Sequence, residues 1–401
     1  MSGINDVSPS ISNLNLDAFG RLRTSLPIAL FDSTFYSDLS DIVFTKLTAS
    51  GGTITHDTNK RAMILSCTTT TNSRSVLQSR QYIPYHPAKS TLIFMTGNFK
   101  GAATGVKKYF GQFDADNGFY FLLDGSTLKV GIRSKVSGSI VNTEISQTDW
   151  NVDRLDGTDT SKITLDLSKQ QIFFIDYQFL GAGRIRYGFC INGDFYYCHQ
   201  IFNANVLTTL YSQTATLPVR AEILNTGSSA STLEMTCVSV SSEGAEFNGG
   251  VLRSVSTGVV YRNVSGTGVN FPLISIRKRT AYVNIPIEIK DAGVFVQSSD
   301  ECLVQIVIGG TLTAASWVAN GDVSEYDISA TAITGARVLM TAYARGGVSQ
   351  APFNFSDKIQ QTLSRYLGSD LQGNSEIMTI VVSNITSLVT YAGYFDYREL
   401  V

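Results

Sequence analysis

Residues 171–201 read QIFFIDYQFLGAGRIRYGFCINGDFYYCHQI, and their pattern decides the fold class. Phe173, Ile175, Tyr177 and Phe179 fall on one face at the two-residue period of a pleated strand. Gly181-Ala182-Gly183 turns the chain. A second strand then puts Ile185, Tyr187, Phe189 and Ile191 on one face, and Arg184, Arg186, Gly188 and Cys190 on the other. Asn192-Gly193 is a strong signal for a two-residue hairpin, because a type I′ turn needs positive φ at both central residues. Such a turn predicts that Ile191 faces Asp194, Phe189 faces Tyr196 and Tyr187 faces Cys198. Cys190 and Cys198 then lie on opposite faces and do not form a disulfide. The stretch is a three-stranded β-meander.

The same pattern extends outward. From Phe35 to Ser241, short strands recur about every ten residues with turn chemistry between them. Thr53–Thr55, Ala62–Cys67, Ser75–Ile83, Ser90–Phe99, Lys108–Phe113, Gly118–Leu123, Thr127–Arg133, Ile163–Leu167, Leu217–Leu224 and Ser231–Ser241 read as strands. The expectation is an all-β chain: a large jelly-roll or concanavalin-like antiparallel sandwich, then a smaller β-sandwich-like domain. Residues 1–33 read as an extended arm, 34–242 as the large sandwich, 243–268 as a Gly/Ser/Thr-rich linker, and 269–401 as the second domain. One helix is expected near 356–367. Ser356 would be its N-cap, Ile359, Leu363, Tyr366 and Leu367 its apolar face, and Gly368 its stop.

The chain has 401 residues, 43% of them hydrophobic and only 16% charged. That charge content is low for an ordinary domain surface; it suits a protein packed permanently against others, and equally a weakly charged secreted domain. A net charge of −2 leaves no electrostatic footprint for nucleic acid. Lys107-Lys108 and Arg277-Lys278-Arg279 read as solvated strand ends. Five widely spaced cysteines without a C-x-x-C read as free buried thiols, which suits a reducing cytoplasm. The first twenty residues lack a basic stretch followed by an apolar core, and no run has the length of a membrane span, so neither a secretory signal nor a membrane segment is expected.

A search for chemistry returns no nucleophile elbow, zinc helix, phosphate loop or dinucleotide fingerprint. No strand carries alternating acids, the simplest way to set the two carboxyls of a retaining glycosidase about 5 Å apart. No catalytic residue, cofactor or metal site is assigned. Asp114-Ala115-Asp116-Asn117-Gly118 begins like a calcium loop, but Phe119 and Gly125 stand where an EF-hand needs Gly and Glu. That loop, and the one carrying Asp149, Asp153, Asp156 and Asp159, read as turns. Asp149, Trp150, Asn151 and Asp153 are the one cluster pairing an aromatic ring with amides and carboxylates, as a glycan platform would.

Three long segments carry a family resemblance: NLDAFGRLRTSLPIALFDS (15–33), LQSRQYIPYHPAKSTLIFMTGNF (77–99), and residues 149–205 around the meander. They resemble a family of large virion structural proteins of tailed bacteriophages, with relatives in other double-stranded DNA viruses. The likeness covers roughly residues 14–240, and extends more loosely to the YFDYREL ending. It implies a non-enzymatic particle component, such as a decoration, collar, baseplate or fibre-base subunit, assembled in the host cytoplasm. The expected partners are further copies of itself, in a trimer by preference, and other virion proteins. The alternative is an adhesin that binds a host receptor or surface glycan through the sandwich. Phe19, Arg21 and Arg23 are the candidate assembly contacts, with the two guanidiniums pairing carboxylates of a neighbouring subunit.

Overall fold

The computed structural model describes residues 25–244, 249–259, 261–297, 300–346, 353–360, 366–386 and 388–401. Phe19, Arg21 and Arg23 lie outside them. The expected all-β architecture is what the structure shows: two antiparallel β domains, each with its own hydrophobic core, and a short helix in the second.

Fifteen strands build the first domain: β1 Pro27–Thr34, β2 Phe44–Ala49, β3 Thr53–Asp57, β4 Ala62–Cys67, β5 Arg74–Ser79, β6 Thr91–Asn98, β7 Val106–Phe113, β8 Gly118–Asp124, β9 Thr127–Ser134, β10 Val141–Ser146, β11 Gln171–Tyr177, β12 Ile185–Ile191, β13 Asp194–Ile201, β14 Val219–Asn225 and β15 Ser231–Glu243. An eight-stranded sheet runs β13-β12-β11-β6-β15-β4-β3, with β1 also paired to β15. A seven-stranded sheet runs β10-β9-β8-β7-β14-β5-β2 and faces it. The predicted inward face of the meander lies in the core between them. Phe173 touches rings from both sheets, with centroids 5.1 Å from Phe110, 5.3 Å from Phe189 and 5.4 Å from Phe121.

Asn192 and Gly193 have φ of 55° and 92°, as the type I′ turn requires. Ile191 faces Asp194 and Phe189 faces Tyr196 as expected. The next pair differs: Tyr187 faces His199, because the register shifts between Tyr187 and Gly188. The extra residue is a β-bulge, and it leaves Cys198 fully buried, its thiol donating to the Tyr187 carbonyl. Gly188 is required here. A Cβ on it would meet the Phe174 ring at 2.3 Å and the Tyr196 carbonyl at 2.5 Å. All five cysteines are free.

Several boundaries differ from the sequence expectation. Residues 27–33 belong to β1, paired with β15, rather than to the arm. Ile163–Leu167 forms no strand. Its one bridge is Asp156 to Thr164, and Ile163, Leu165 and Leu167 pack half-buried against the core. The 243–268 segment is not a linker. Val251–Ser256 and Arg262–Val264 both pair with the last strand, Val389–Glu399, in a five-stranded sheet. The second domain continues with two strands, Phe271–Lys278 and Ile287–Val296, separated by a 3-10 turn at Thr280–Tyr282.

The helix spans Ser356–Gln360 in the described residues, and the Phe355 carbonyl accepts its first bonds, from the N–H groups of Lys358 and Ile359. Phe355 rather than Ser356 therefore holds the capping position. Tyr366 bridges Glu288 in extended backbone, so the helix does not reach it; Leu363 lies outside the described residues. Phe355, Ile359 and Leu367 pack in the second core.

Each basic run turns one lysine inward, while Lys107, Arg277 and Arg279 stay partly exposed. Lys108 is fully buried, with its ammonium donating to the Phe99 and Gly101 carbonyls, and burial lowers its pKa to about 8. Lys278 is buried where the domains meet. It donates to the Val283 carbonyl and lies 5.8 Å from the Tyr82 ring centroid, and burial lowers its pKa to about 7. Arg277 pairs Glu325 and lies over Trp317. Across the same junction Arg337 bonds Asp41 at 2.8 Å, and the Arg80 carbonyl accepts from Ser369. A cleft of about 390 Å³ remains there, lined by Asp41, Arg80, Arg337, Asp370 and Glu376 among others.

Candidate functional site

The cluster at 149–153 sits where the chain leaves β10, at the edge of one sheet, and crosses to β13, at the edge of the other. Asp149 is exposed at the end of a single 3-10 turn, Gln147–Asp149. Trp150 is only 6% exposed, with its ring against Phe189 and its indole N–H donating to the Ile145 carbonyl. A ring in that position cannot serve as a stacking platform. The expected glycan platform is corrected to a plug in the open side of the sandwich.

Asn151 has an equally definite task. Its side-chain N–H donates to the Gln200 carbonyl at 2.8 Å, and its side-chain oxygen accepts the Gln200 N–H at 2.9 Å. One amide thus replaces a neighbouring strand along the free edge of β13. The Val152 and Asp153 N–H groups both reach the Cys198 carbonyl, and the Asn151 N–H donates to His199 Nδ1. Burial lowers the His199 pKa and favours the neutral ring that this acceptor role needs. An exposed strand edge invites pairing with other chains, and this loop closes it. Asp153 accepts from the Leu155 and Ser161 N–H groups, so its carboxylate holds the loop itself.

The acidic turns are similarly engaged. Asp114 accepts from the Asp116 and Asn117 N–H groups. Asp159 takes a two-pronged bond from Arg154, which holds its pKa down to about 2. These carboxylates serve local structure, as turn residues do.

Two outer faces were not anticipated. On the seven-stranded sheet, Tyr109, Phe113, Tyr120 and Leu122 form a separate buried cluster. Arg133 and Arg220 lie over the Phe113 ring. Beside it, Glu222 accepts from Arg74 at 2.7 Å and from two nitrogens of Arg220 at 2.7 and 3.0 Å, although Arg220 and Glu222 are each 3% exposed. This face is filled by its own side chains. On the eight-stranded sheet, Phe94, Phe174, Phe195 and Tyr197 form a chain of ring contacts. Arg186 covers Tyr197 and pairs Asp176, while Phe195 is half exposed. The sequence signal for this second face is the second, outward set of aromatic residues in the meander strands.

No protein-family model matches the chain, and no curated protein matches it. Solved structures do resemble it in part. A protein of unknown function from Shewanella oneidensis MR-1 has 10% identity and a TM-score of 0.38, over 63% of this chain and 100% of that one. A GH16 from a Bacteroides ovatus mixed linkage glucan PUL has 10% identity and a TM-score of 0.35, over 53% and 99%. Peanut lectin has 12% identity and a TM-score of 0.32, over 55% and 98%. At these values no function passes to this chain.

Proposed function

We propose that this chain is a non-enzymatic structural subunit of a virus particle, of the tailed-bacteriophage kind its sequence resembles. It works through contacts with its own copies, in a trimer by preference, and with other virion proteins, after assembly in the host cytoplasm. The observation that carries the reading is a group of apolar side chains held out in water at one end of the large sandwich. Leu180, Phe202, Val206, Leu207 and Leu210 are between 48% and 66% exposed. Apolar groups gathered in this way mark contact surfaces. The arm, with Phe19, Arg21 and Arg23, supplies a second contact element. Deleting residues 1–25 is expected to abolish incorporation into particles, measured by the protein content of purified virions. Unchanged incorporation of the truncated chain would sink this reading.

A second reading, a glycan- or receptor-binding adhesin, draws on one specific observation: the outward aromatic face of the meander. Phe195 and Tyr197 offer rings, with Arg186 and Asp176 beside them as polar partners. Binding on a glycan array that Phe195→Ala abolishes would favour it over the first. An array without signal removes it.

A further inference from the structure

We infer that the apolar rim made by the 178–184 turn and the 202–211 loop receives residues 14–23 of an adjoining copy of this chain. The inference rests on the reading of the arm as an assembly element and supplies that element with a receptor.

The rim is firmly built. Asn203 donates its side-chain N–H to the Gly183 carbonyl at 2.7 Å, and the Tyr211 N–H donates to Gly181. The Tyr211 hydroxyl donates to the Gln178 carbonyl, and the Leu180 N–H to the Tyr85 hydroxyl. Phe179 packs between Tyr85 and Tyr211 beneath in two edge-on contacts, at 5.5 and 5.4 Å. On this base Leu180, Val206, Leu207 and Leu210 face water. A rigid backbone holding aliphatic groups outward loses little entropy when a partner covers them.

The place where the arm enters the fold lies at the same end of the sheet. The Leu26 carbonyl accepts from Gly244, and the Glu243 N–H donates to Ser90. The Ser90 hydroxyl bonds Asp176, and the Gln178 N–H donates to Arg184. These bonds form one row running from the arm's exit to the rim. The row crosses three strand intervals from β1 to β11, about 14 Å at the usual spacing of roughly 4.8 Å. Residues 14–23 can span about 33 Å when extended, and they carry Leu14, Leu16, Phe19 and Leu22. The same chain therefore presents an apolar donor and an apolar receiver, offset sideways on one end. Such a contact uses one donor and one receiver per copy. It closes into a ring when the rotation between copies permits, as the oligomeric reading requires.

The test mixes two full-length proteins, one Phe19→Cys and one Leu207→Cys, under mild oxidation. A cross-linked band of twice the chain mass on a non-reducing gel is expected, with at least a fivefold loss when Leu210→Asp is added to the Leu207→Cys protein. If the mixture gives no such band, while a chain carrying both cysteines closes on itself, the arm folds back on its own rim and the inference is overturned. Light scattering separates the two levels of the argument. Deletion of residues 2–23 and the double change Leu207→Asp/Leu210→Asp are both expected to reduce the oligomer to monomer. If only the deletion does so, the arm reading stands and the rim is not its receptor. If neither does, both fall. Val338→Asp, at an exposed strand position in the second domain, is the control and should leave the mass unchanged.

Discussion

Phe173→Ala is expected to cost the large sandwich about 3–5 kcal/mol, the usual range for deleting a buried aromatic ring. Phe173 lies on β11, the first strand of the meander, which pairs β6 on one side and β12 on the other. Its ring lies against Phe99, Phe110, Phe121 and Phe189, four rings drawn from both sheets and from the segment after β6. Strands hydrogen-bonded on both sides cannot collapse into the space, so the cavity persists and the cost falls toward the upper end. The two tryptophans allow a selective measurement. Trp150 is buried beside Phe189 in the first domain, and Trp317 lies against Arg277 in the second. In a Trp317→Phe background, the urea transition reported by Trp150 fluorescence should move down by about 1–2 M, for a slope of roughly 2–3 kcal/mol/M. Ile172→Ala is the control. Ile172 neighbours Phe173 but points outward and is 39% exposed, so its change should stay within about 0.5 kcal/mol. Equal shifts in the two proteins would mean that the ring cluster does not hold the sheets together.

The meander was legible because everything that sets it is local. Alternation fixed which side chains enter the core, and Asn192-Gly193 fixed the turn and the first two cross-strand pairs. The bulge beside Cys198 was not legible. It depends on what lies beyond the edge of β13, where Asn151 and the Val152 and Asp153 N–H groups take up the backbone of Gln200 and Cys198. The misplaced linker has a similar cause. Val251–Ser256 and Arg262–Val264 are strands because Val389–Glu399 pairs with them, and a partner so distant in sequence leaves no mark on local composition. Trp150 shows the limit for site residues. A tryptophan among Asp and Asn reads alike whether its ring faces water or plugs a sandwich. One signal did exist, since the last strand of a meander has a free edge and that edge needs polar partners. Residues 119–123, FYFLL, carried a second unused signal. A continuous apolar run belongs to a strand covered on both faces, and all five residues are fully buried.

Glu222→Ala should destabilise the same domain by roughly 3–5 kcal/mol for a different reason, because it leaves a buried charge without its partner. The Glu222 carboxylate holds Arg220 with one oxygen and Arg74 with the other, and Arg220 also donates to Gln78 at 3.2 Å. These residues tie β14 to β5 across the outer face of the seven-stranded sheet. Removing both charged partners should cost less than removing one. Arg220→Met combined with Glu222→Leu therefore tests the cause: if the double variant is as unstable as the sum of the singles, lost packing rather than an orphaned guanidinium explains the effect. The acid dependence gives an independent check. Burial alone would raise the Glu222 pKa, but Arg220 and Arg74 outweigh it and hold the carboxyl below its ordinary value of 4.5. The unfolded chain then binds a proton at a pH where the folded one does not. The stabilisation is complete above about 4.5 and is lost as pH falls through the folded value. Denaturation midpoints of the wild type and of Glu222→Gln, taken between pH 7 and pH 3, should converge as the pH drops. A gap that stays constant over that range would show that the carboxylate's charge contributes nothing to the fold.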